Sequence, residues 1–495
     1  MARLFGAGAA YDAFLLGIRI PNLARNLFAE GALSSAFVPT FTTYLREGHR
    51  EAQELSDAVA TALLVAVSTA CLIGMVFTPQ LVMLLAPGFA AVPGKFALAV
   101  RLTRIMFPFL PLVALAAHAM GLLNACDRYG IPALASAAFN AASVLAGLAL
   151  GFWFGRPLIE AMAWGVLAGG LAQLLWQFPV ARREGFGFRP RLAIRHPGVR
   201  RIGRLMLPAL IGSSALQINI VVNTNFASAL TDVSGHVLNG PVSWLNYAFR
   251  FLQLPLGVFG AAIASATLPR LSRSAATQAT ADFRATLGHA IGTSLLLAIP
   301  SSAGLVLLGE SMIAVVYQGG RFQASDTRQT AVALACYAAG LAGYSVSKIL
   351  APAFYALDDG RTPMWISVGS VALNAGTSFA LVRWARLGPA GLALSVSIVA
   401  LAGAAALFEI MRRRLGGIGG RNLAAGVARI LAATALMSAA VRAAGALLPV
   451  AVTRLDHCIH LAVLAPLGLI VFYGAARLLS VRELEALRAS MIHSE

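Results

Sequence analysis

Residues 11–39 read YDAFLLGIRIPNLARNLFAEGALSSAFVP, an apolar, helix-prone stretch that nonetheless carries Asp12, Arg19, Arg25 and Glu30. A charge at bilayer depth costs several kcal/mol, so such residues persist only where they face a cavity, a partner or a ligand. Asp12 and Arg19 are two helical turns apart, which puts them on one face about 10 Å from each other. Pro21 permits a kink that re-aims Arg25. Glu30 precedes Gly31, where its carboxylate can satisfy backbone groups freed by a helix break.

The surrounding chain says what solvent this stretch sits in. Of 495 residues, 58% are hydrophobic and only 12% charged, which excludes an ordinary soluble domain. Apolar runs of about 20 residues, enough to cross the hydrocarbon core, recur throughout. They divide into segment A (roughly 10–45, broken near Pro21 and Gly31), B to E (57–86, 97–123, 131–154, 158–181), F to K (202–231, 241–266, 285–317, 328–356, 363–382, 388–411), and L and M (422–448, 458–480). This is an all-α polytopic membrane protein with about 13 crossings. The expected organisation is an N-terminal half 1–181, a basic linker 182–201, a C-terminal half 202–411, a second linker 412–421, two further helices within 422–480 and a tail 481–495. Cys71, Cys126, Cys336 and Cys458 are scattered and read as small apolar residues, not a disulfide framework.

The net charge of +18 is a topology signal before it is a nucleic-acid signal. Arginines crowd one set of loops, notably Arg182–Arg201 and Arg412–Arg421, while the other set holds only Lys95, Arg156, Arg321, Arg328, Arg383, Arg386 and Arg454. The positive-inside rule makes the first set, and the C-terminus, cytoplasmic. An odd number of crossings then puts the N-terminus outside without a signal peptide, so a preceding helix is expected.

An internal repeat supports the same arithmetic. Ala125, Asp127 and Pro132 of NACDRYGIP return as Ala356, Asp358 and Pro363 of YALDDGRTP, 231 residues on. Ser35, Ala36 and Pro39 return as Ser265, Ala266 and Pro269 at 230, and Phe89 returns as Phe322 at 233. The period spans an even number of crossings, which predicts two parallel halves, as in some secondary transporters. The first half is one helix short.

Other chemistry is poorly represented. There is no phosphate-binding G-x-x-x-x-G-K-[ST] loop. Asp456, His457, Cys458 and His460 have metal-capable side chains, but one helix turn can offer two ligands at best, so no metal or cofactor is expected. Cations inside the apolar segments carry more weight: Arg19, Arg25, Arg250 on segment G with Gln253 three residues on, and Lys348 on segment I, one of only two lysines. Cations in both halves suit an anionic substrate such as a diphosphate. Each could instead form a structural ion pair or snorkel to an interface. Arg101 and Arg104, near the outer end of segment C, read that way. Gln217, Asn219, Asn223, Asn140 and Asn374 read as interhelical glue or path-lining residues.

The stretch at 12–39 resembles the signature of the MurJ (MviN) family of lipid II flippases. So do APGF at 86–89, LNACDRYGIPA at 123–133, QLPLGVFGAAIASATLP at 253–269 and KILAPAFYALDDGRTP at 348–363. The resemblance covers essentially the whole chain. It implies a fold of two six-helix halves plus two C-terminal helices, fourteen in all, and a substrate of undecaprenyl-diphosphate-linked disaccharide-pentapeptide moved between leaflets by alternating access. Asp12, Arg25, Arg250 and Lys348 match charged positions of the family. Phe249 departs from it where many members are acidic or polar, and Gln253 stands where some have Glu. The residues expected to bind the diphosphate are Arg25, Arg250 and Lys348, with Arg19 added from its place in the apolar stretch; Asp12 is expected to orient or neutralise Arg19 or another cavity arginine, with Glu30 and Gln253 as further charge partners. The implied partners are lipid II and membrane lipids, not nucleic acid. The expected setting is a monomer in the bacterial inner membrane, associated with the cell wall synthesis machinery. The rivals are an exporter of drugs or of another lipid-linked glycan, a polyprenyl-phosphate enzyme using Asp358 and Asp359 to hold Mg²⁺, and an inactive scaffold.

Overall fold

A computed structural model describes residues 1–27, 33–191, 193, 196–231, 234–418 and 420–485. Among these, nineteen α-helices form and no strand does; two isolated β-bridges occur, at Thr231–Val237 and Gly319–Phe322. After a short α1 (Ala2–Phe5) come α2 (Ala9–Leu27), α3 (Leu33–Glu47), α4 (His49–Val76), α5 (Thr78–Leu85), α6 (Lys95–Met106), α7 (Phe109–Ala125), α8 (Gly130–Phe152), α9 (Leu158–Arg183) and α10 (Pro197–Ser228). The chain continues through α11 (Pro241–Pro255), α12 (Ala261–Ala276), α13 (Thr280–Tyr317), α14 (Ala324–Ala338), α15 (Leu341–Ala356), α16 (Arg361–Phe379), α17 (Gly388–Leu415), α18 (Gly420–Leu447) and α19 (Arg454–Leu478).

Ten described helical stretches are long and apolar enough to cross a membrane, and α14 with α15, bent by 45° at their junction, makes an eleventh. These are segments B to E, G to K, L and M. Segment A runs over residues outside the described set, and segment F, which is α10, has side chains outside it, so the expected 13 and the observed 11 differ by those two. The described parts of segment A are α2 and α3, with Pro21 and Pro39 inside the two helices; the expected break near Gly31 lies outside the described residues.

The chain packs as two compact units, Gly8–Asn239, and Met1–Ala7 with Gly240–Glu495. This packing boundary lies at Gly240, not in the basic linker 182–201. Segment F, expected to open the C-terminal half, is α10, and it packs on α2, α3, α4 and α5 within the first unit.

In the first unit α8 and α9 form a close hairpin. A Cβ on Gly165 would run into the Ser143 carbonyl and one on Gly169 into that of Phe139, so two glycines one turn apart let the backbones touch. Phe37, Phe41, Leu55 and Leu123 fill a core under α3, α4 and α7. In the second unit Phe283, Leu287, Ile349, Phe354 and Met411 do the same under α13, α15 and α17.

The repeat is visible in backbone detail. Asp127 and Asp358 both adopt positive φ, 60° and 55°. Each ends its helix in a left-handed cap: Arg128 N–H donates to Leu123 O at 2.9 Å, and Asp359 N–H to Phe354 O at 3.0 Å. Aspartate tolerates this conformation better than most residues, which is why the motif keeps it. Pro132 and Pro363 then sit in the first turns of α8 and α16. Phe89 and Phe322 are both buried.

Candidate functional site

α2 is amphipathic in an unusual sense: its N-terminal half is buried on every side. Tyr11, Ala13, Phe14, Leu15 and Leu16 are all core residues, and Asp12 lies among them with no exposed surface. Its carboxylate is met by Lys95 Nζ at 2.8 Å, from the first residue of α6, and Lys95 is itself 2% exposed. Lys95 also donates to Asn239 Oδ1 at 3.1 Å and lies 4.3 Å from the centre of the Phe89 ring. A dry charge pair survives only when its remaining hydrogen-bonding capacity is met, and Asn239 and the ring supply part of it.

Lys95 is thus a partner of Asp12 that the sequence reading did not name. Two turns of helix hold Arg19 about 10 Å away along α2, whereas α6 lies alongside and brings Lys95 into contact. Arg19 is half-buried and donates through Nη1 to Thr224 Oγ1 of α10. That hydroxyl spends its proton on Ile220 O at 2.6 Å, so it is free to accept from the guanidinium. Lys95, read from sequence as a loop cation, is therefore part of the charged interior. The signal available for it was rarity: it is one of only two lysines, six residues after the APGF motif. The Arg25 side chain and Glu30 lie outside the described residues.

In the second unit α11 turns its aromatic face inward. Tyr247 and Phe251 pack on Tyr317, and Tyr247 also meets Phe322 edge-on. The opposite face carries Arg250 and Gln253, both exposed, as the three-residue spacing predicts. Arg250 Nε donates to Asn246 Oδ1 at 3.4 Å. Phe249, at the position where many family members are polar, stacks edge-on to Tyr337 at 5.5 Å and so belongs to the packing with α14.

Pro255 ends the regular hydrogen bonding of α11, since it has no N–H to give. A π-helical turn, Leu256–Gly260, takes up the slack; such turns frequently mark functional sites. The stem of Lys348, from α15, lies against its last residue: a Cβ on Gly260 would be 3.5 Å from Lys348 Cδ. The ammonium end is exposed. Roughly 15 Å of helix separates Arg250 from Gly260, so the two cations of this unit share a surface without forming one contact. Neither has a carboxylate within ion-pair reach among the described residues.

Several of the other polar residues have structural tasks. Asn374 Oδ1 accepts from Ser395 Oγ at 2.9 Å, joining α16 to α17. Asp456 caps α19 with Thr453, His457 pairs with Ser311, and His460 reaches Pro449 O. No group of three metal-capable side chains occurs among the described residues. Asp359, half of the carboxylate pair that an Mg²⁺ enzyme would need, is occupied by Thr362 and Arg414.

Sequence comparisons give the family, and structural ones the fold. A family model described as lipid II flippase MurJ matches residues 1–453. Lipid II flippase MurJ of Burkholderia cenocepacia is 35% identical over 419 residues, 84% of this chain and 79% of that protein. Probable lipid II flippase MurJ of Rhizobium meliloti is 36% identical over 452 residues, 89% of this chain and 81% of that one. Among solved structures, lipid II flippase MurJ in an inward closed conformation superimposes with a TM-score of 0.79 at 23% identity, covering 98% of this chain and 95% of the other. An inward-facing multidrug transporter of the MATE family shares the fold at a TM-score of 0.67 and 16% identity, over 83% of this chain and 91% of its own. With a polytopic helical fold, cations held within both compact units and a family match across nearly the whole sequence, this chain belongs to the MurJ family of lipid II flippases.

Proposed function

We infer that this chain is a transporter that flips lipid II, the undecaprenyl-diphosphate-linked peptidoglycan precursor, from the cytoplasmic to the periplasmic leaflet by alternating access. The observation that carries this reading is the family match over residues 1–453, which takes in both compact units. The diphosphate is the part of the cargo that a protein can grip electrostatically, and arginine is the side chain best suited to it. In this reading Arg19 and Arg25 from the first unit and Arg250 and Lys348 from the second bind the diphosphate. Asp12 sets the charge of α2 through Lys95, while Glu30 and Gln253 adjust the balance of charge. The repeat halves 1–181 and 202–411, with their linkers and the two extra helices, are the moving parts. The arginine asymmetry of the loops supports a cytoplasmic C-terminus in the bacterial inner membrane. In this reading the protein works as a monomer associated with the cell wall synthesis machinery. A drug exporter of the same fold is disfavoured by the cationic character of these positions.

The test is replacement of a depleted flippase in living cells, with lipid II exposure at the outer leaflet as the readout. The wild-type chain should restore growth and flipping. Arg250→Ala, at equal membrane abundance, should flip about tenfold more slowly, the loss expected for one charge-assisted contact. Failure of the wild-type chain to restore flipping would remove the flippase reading. Undiminished flipping by the variant would remove Arg250 from the site.

A further inference from the structure

α6 has a second charged face. Lys95, Ala99, Leu102 and Met106 are its buried side. Arg104, nine residues after Lys95, projects from the opposite side. There Arg101 and Arg104 line a cavity of about 510 Å³ together with Phe96, Arg156, Glu160 and Trp164, a volume typical of small-ligand sites. Three arginines against one glutamate leave it doubly positive. Arg101 Nη1 meets Glu160 Oε1 at 3.0 Å, yet its side chain remains 65% exposed. Arg104 gives its Nε to Met75 O at 3.3 Å, and no carboxylate lies within ion-pair reach of Arg104 or Arg156 among the described residues.

Two neighbouring features fix the kind of ligand. Pro79 and Phe96 continue from this cavity into a shallow groove of about 650 Å³, whose other lining residues are Gln80, Met83 and Leu84. Leu84 is 69% exposed there. Trp164, which lines the cavity with the arginines, is exposed, as are Trp153 and Phe154 just before Arg156 in the sequence, the aromatic pattern of a membrane–water interface. A cationic cup at headgroup level that opens into an apolar groove is complementary to a molecule with a phosphate at one end and a hydrocarbon chain at the other. We propose that this surface of the first unit is a binding site for an anionic phospholipid, with the headgroup phosphate on Arg101, Arg104 and Arg156 and one acyl chain along Pro79, Met83 and Leu84. It is separate from the diphosphate-binding residues above, none of which lines it.

The purified full-length chain, titrated with dioleoyl phosphatidylglycerol or dioleoyl phosphatidylcholine and read by native mass spectrometry, tests this. The wild type should retain the anionic lipid preferentially. The R104Q/R156Q variant should lose at least about tenfold in affinity for it, since each basic residue near an anionic surface contributes substantially, while its flipping rate is unchanged. Equal retention of the two lipids, or unaltered binding by the variant, overturns the proposal. A phosphatidylglycerol probe with a diazirine in its acyl chain gives an answer that does not depend on the variant folding. Labelling of peptides containing residues 79–84 or 96–104 supports the site, and labelling only elsewhere overturns it. Competition by glycerol phosphate alone would show a free-phosphate site, and displacement by equimolar lipid II would assign the groove to the substrate; either result overturns the phospholipid assignment.

Discussion

The two units solve the same mechanical problems with different chemistry. In the first, the start of α2 is tied to the start of α6 by the buried Asp12–Lys95 pair at 2.8 Å. In the second, 232 and 231 residues further on, the start of α11 is tied to the start of α14 by Trp244 Nε1 donating to Asp326 Oδ1 at 2.9 Å. Arg19, which holds Thr224, has its counterpart in the exposed Arg250, 231 residues on. Next to the left-handed aspartates, Arg128 pairs with Glu184 at 2.8 Å in the first unit, and Asp359 pairs with Arg414 at 2.7 Å in the second. The last two ties occupy matching positions with their charges exchanged. What the repeat preserves is where helices are fastened; the atoms that fasten them were free to change.

The sharpest break of this comparison is at the first tie. Lys95→Met deprives a wholly buried carboxylate of its ammonium, and breaking a buried pair from one side costs about 3–5 kcal/mol. Trp244→Phe removes one hydrogen bond to Asp326, which keeps its capping contact with the Gln323 backbone at 3.0 Å, so the loss should be about 1–2 kcal/mol. Thermal unfolding of both variants in the same detergent measures the contrast. The Asp12→Leu/Lys95→Met double variant should regain most of what Lys95→Met loses, because an apolar pair avoids the desolvation cost. Equal destabilisation by Lys95→Met and Trp244→Phe would mean that the ion pair is not dry.

These ties also show what could be read in the chain and what could not. The crossings and the repeat were legible because hydropathy and helix-terminating residues are local signals. Arg250 and Gln253 were legible as one face because helical spacing fixes that. Lys95 was not, since nothing in VPGK says that the chain turns inward there and meets α2, 83 residues earlier in sequence. The Arg19–Arg250 correspondence also escaped the sequence reading, since its flanks, IRI and FRF, share only the arginine. Nor does the sequence show that α10 packs with the helices before it: an apolar helix carries no label for its neighbour.

The second break lies in the turn before α16. Asp359 accepts from Thr362 N–H at 3.1 Å and from Thr362 Oγ1–H at 2.8 Å, and it faces Arg414. Those hydrogen bonds, and then the Arg414 charge, hold its carboxyl below the usual carboxylate range. A depressed value in the folded state contributes stability that is complete above the unfolded value near pH 4 and is lost as pH falls through the folded one. Unfolding temperature should therefore decline on acidification below about pH 4, and Asp359→Asn should flatten that part of the profile. At neutral pH the same variant keeps an oxygen for the Thr362 N–H and loses the charge facing Arg414, so it should cost no more than about 1 kcal/mol. An acid profile identical to that of the wild type would show that the carboxylate is not the group being titrated.

The smallest effect belongs to Arg128 and Glu184, and it is the most direct test of exchangeability. The arginine side chain is 60% exposed and the glutamate 25% exposed, so water and salt screen the pair, and neutralising either member should cost no more than about 1 kcal/mol. Exchanging both, as Arg128→Glu with Glu184→Arg, gives the first unit the polarity that Asp359 and Arg414 already have in the second. If position alone matters, the exchanged protein should unfold within about 0.5 kcal/mol of the wild type, while each single reversal is destabilised by like-charge contact. The orientation of the local backbone is the one term that could spoil the symmetry. Arg128 follows the left-handed Asp127 and lies at the end of α7, where a helix favours a cation over an anion by about 0.3–1 kcal/mol; Asp359 follows the left-handed Asp358 at the end of α15 and meets the opposite preference, yet gains the cap on Thr362 that Arg128 cannot make. An exchange in the first unit brings the unfavourable dipole without that cap. A deficit confined to this increment, and abolished when a threonine is also placed at Ile131 to receive the new carboxylate, would show that the repeat differs here by one hydrogen bond and not by its fold.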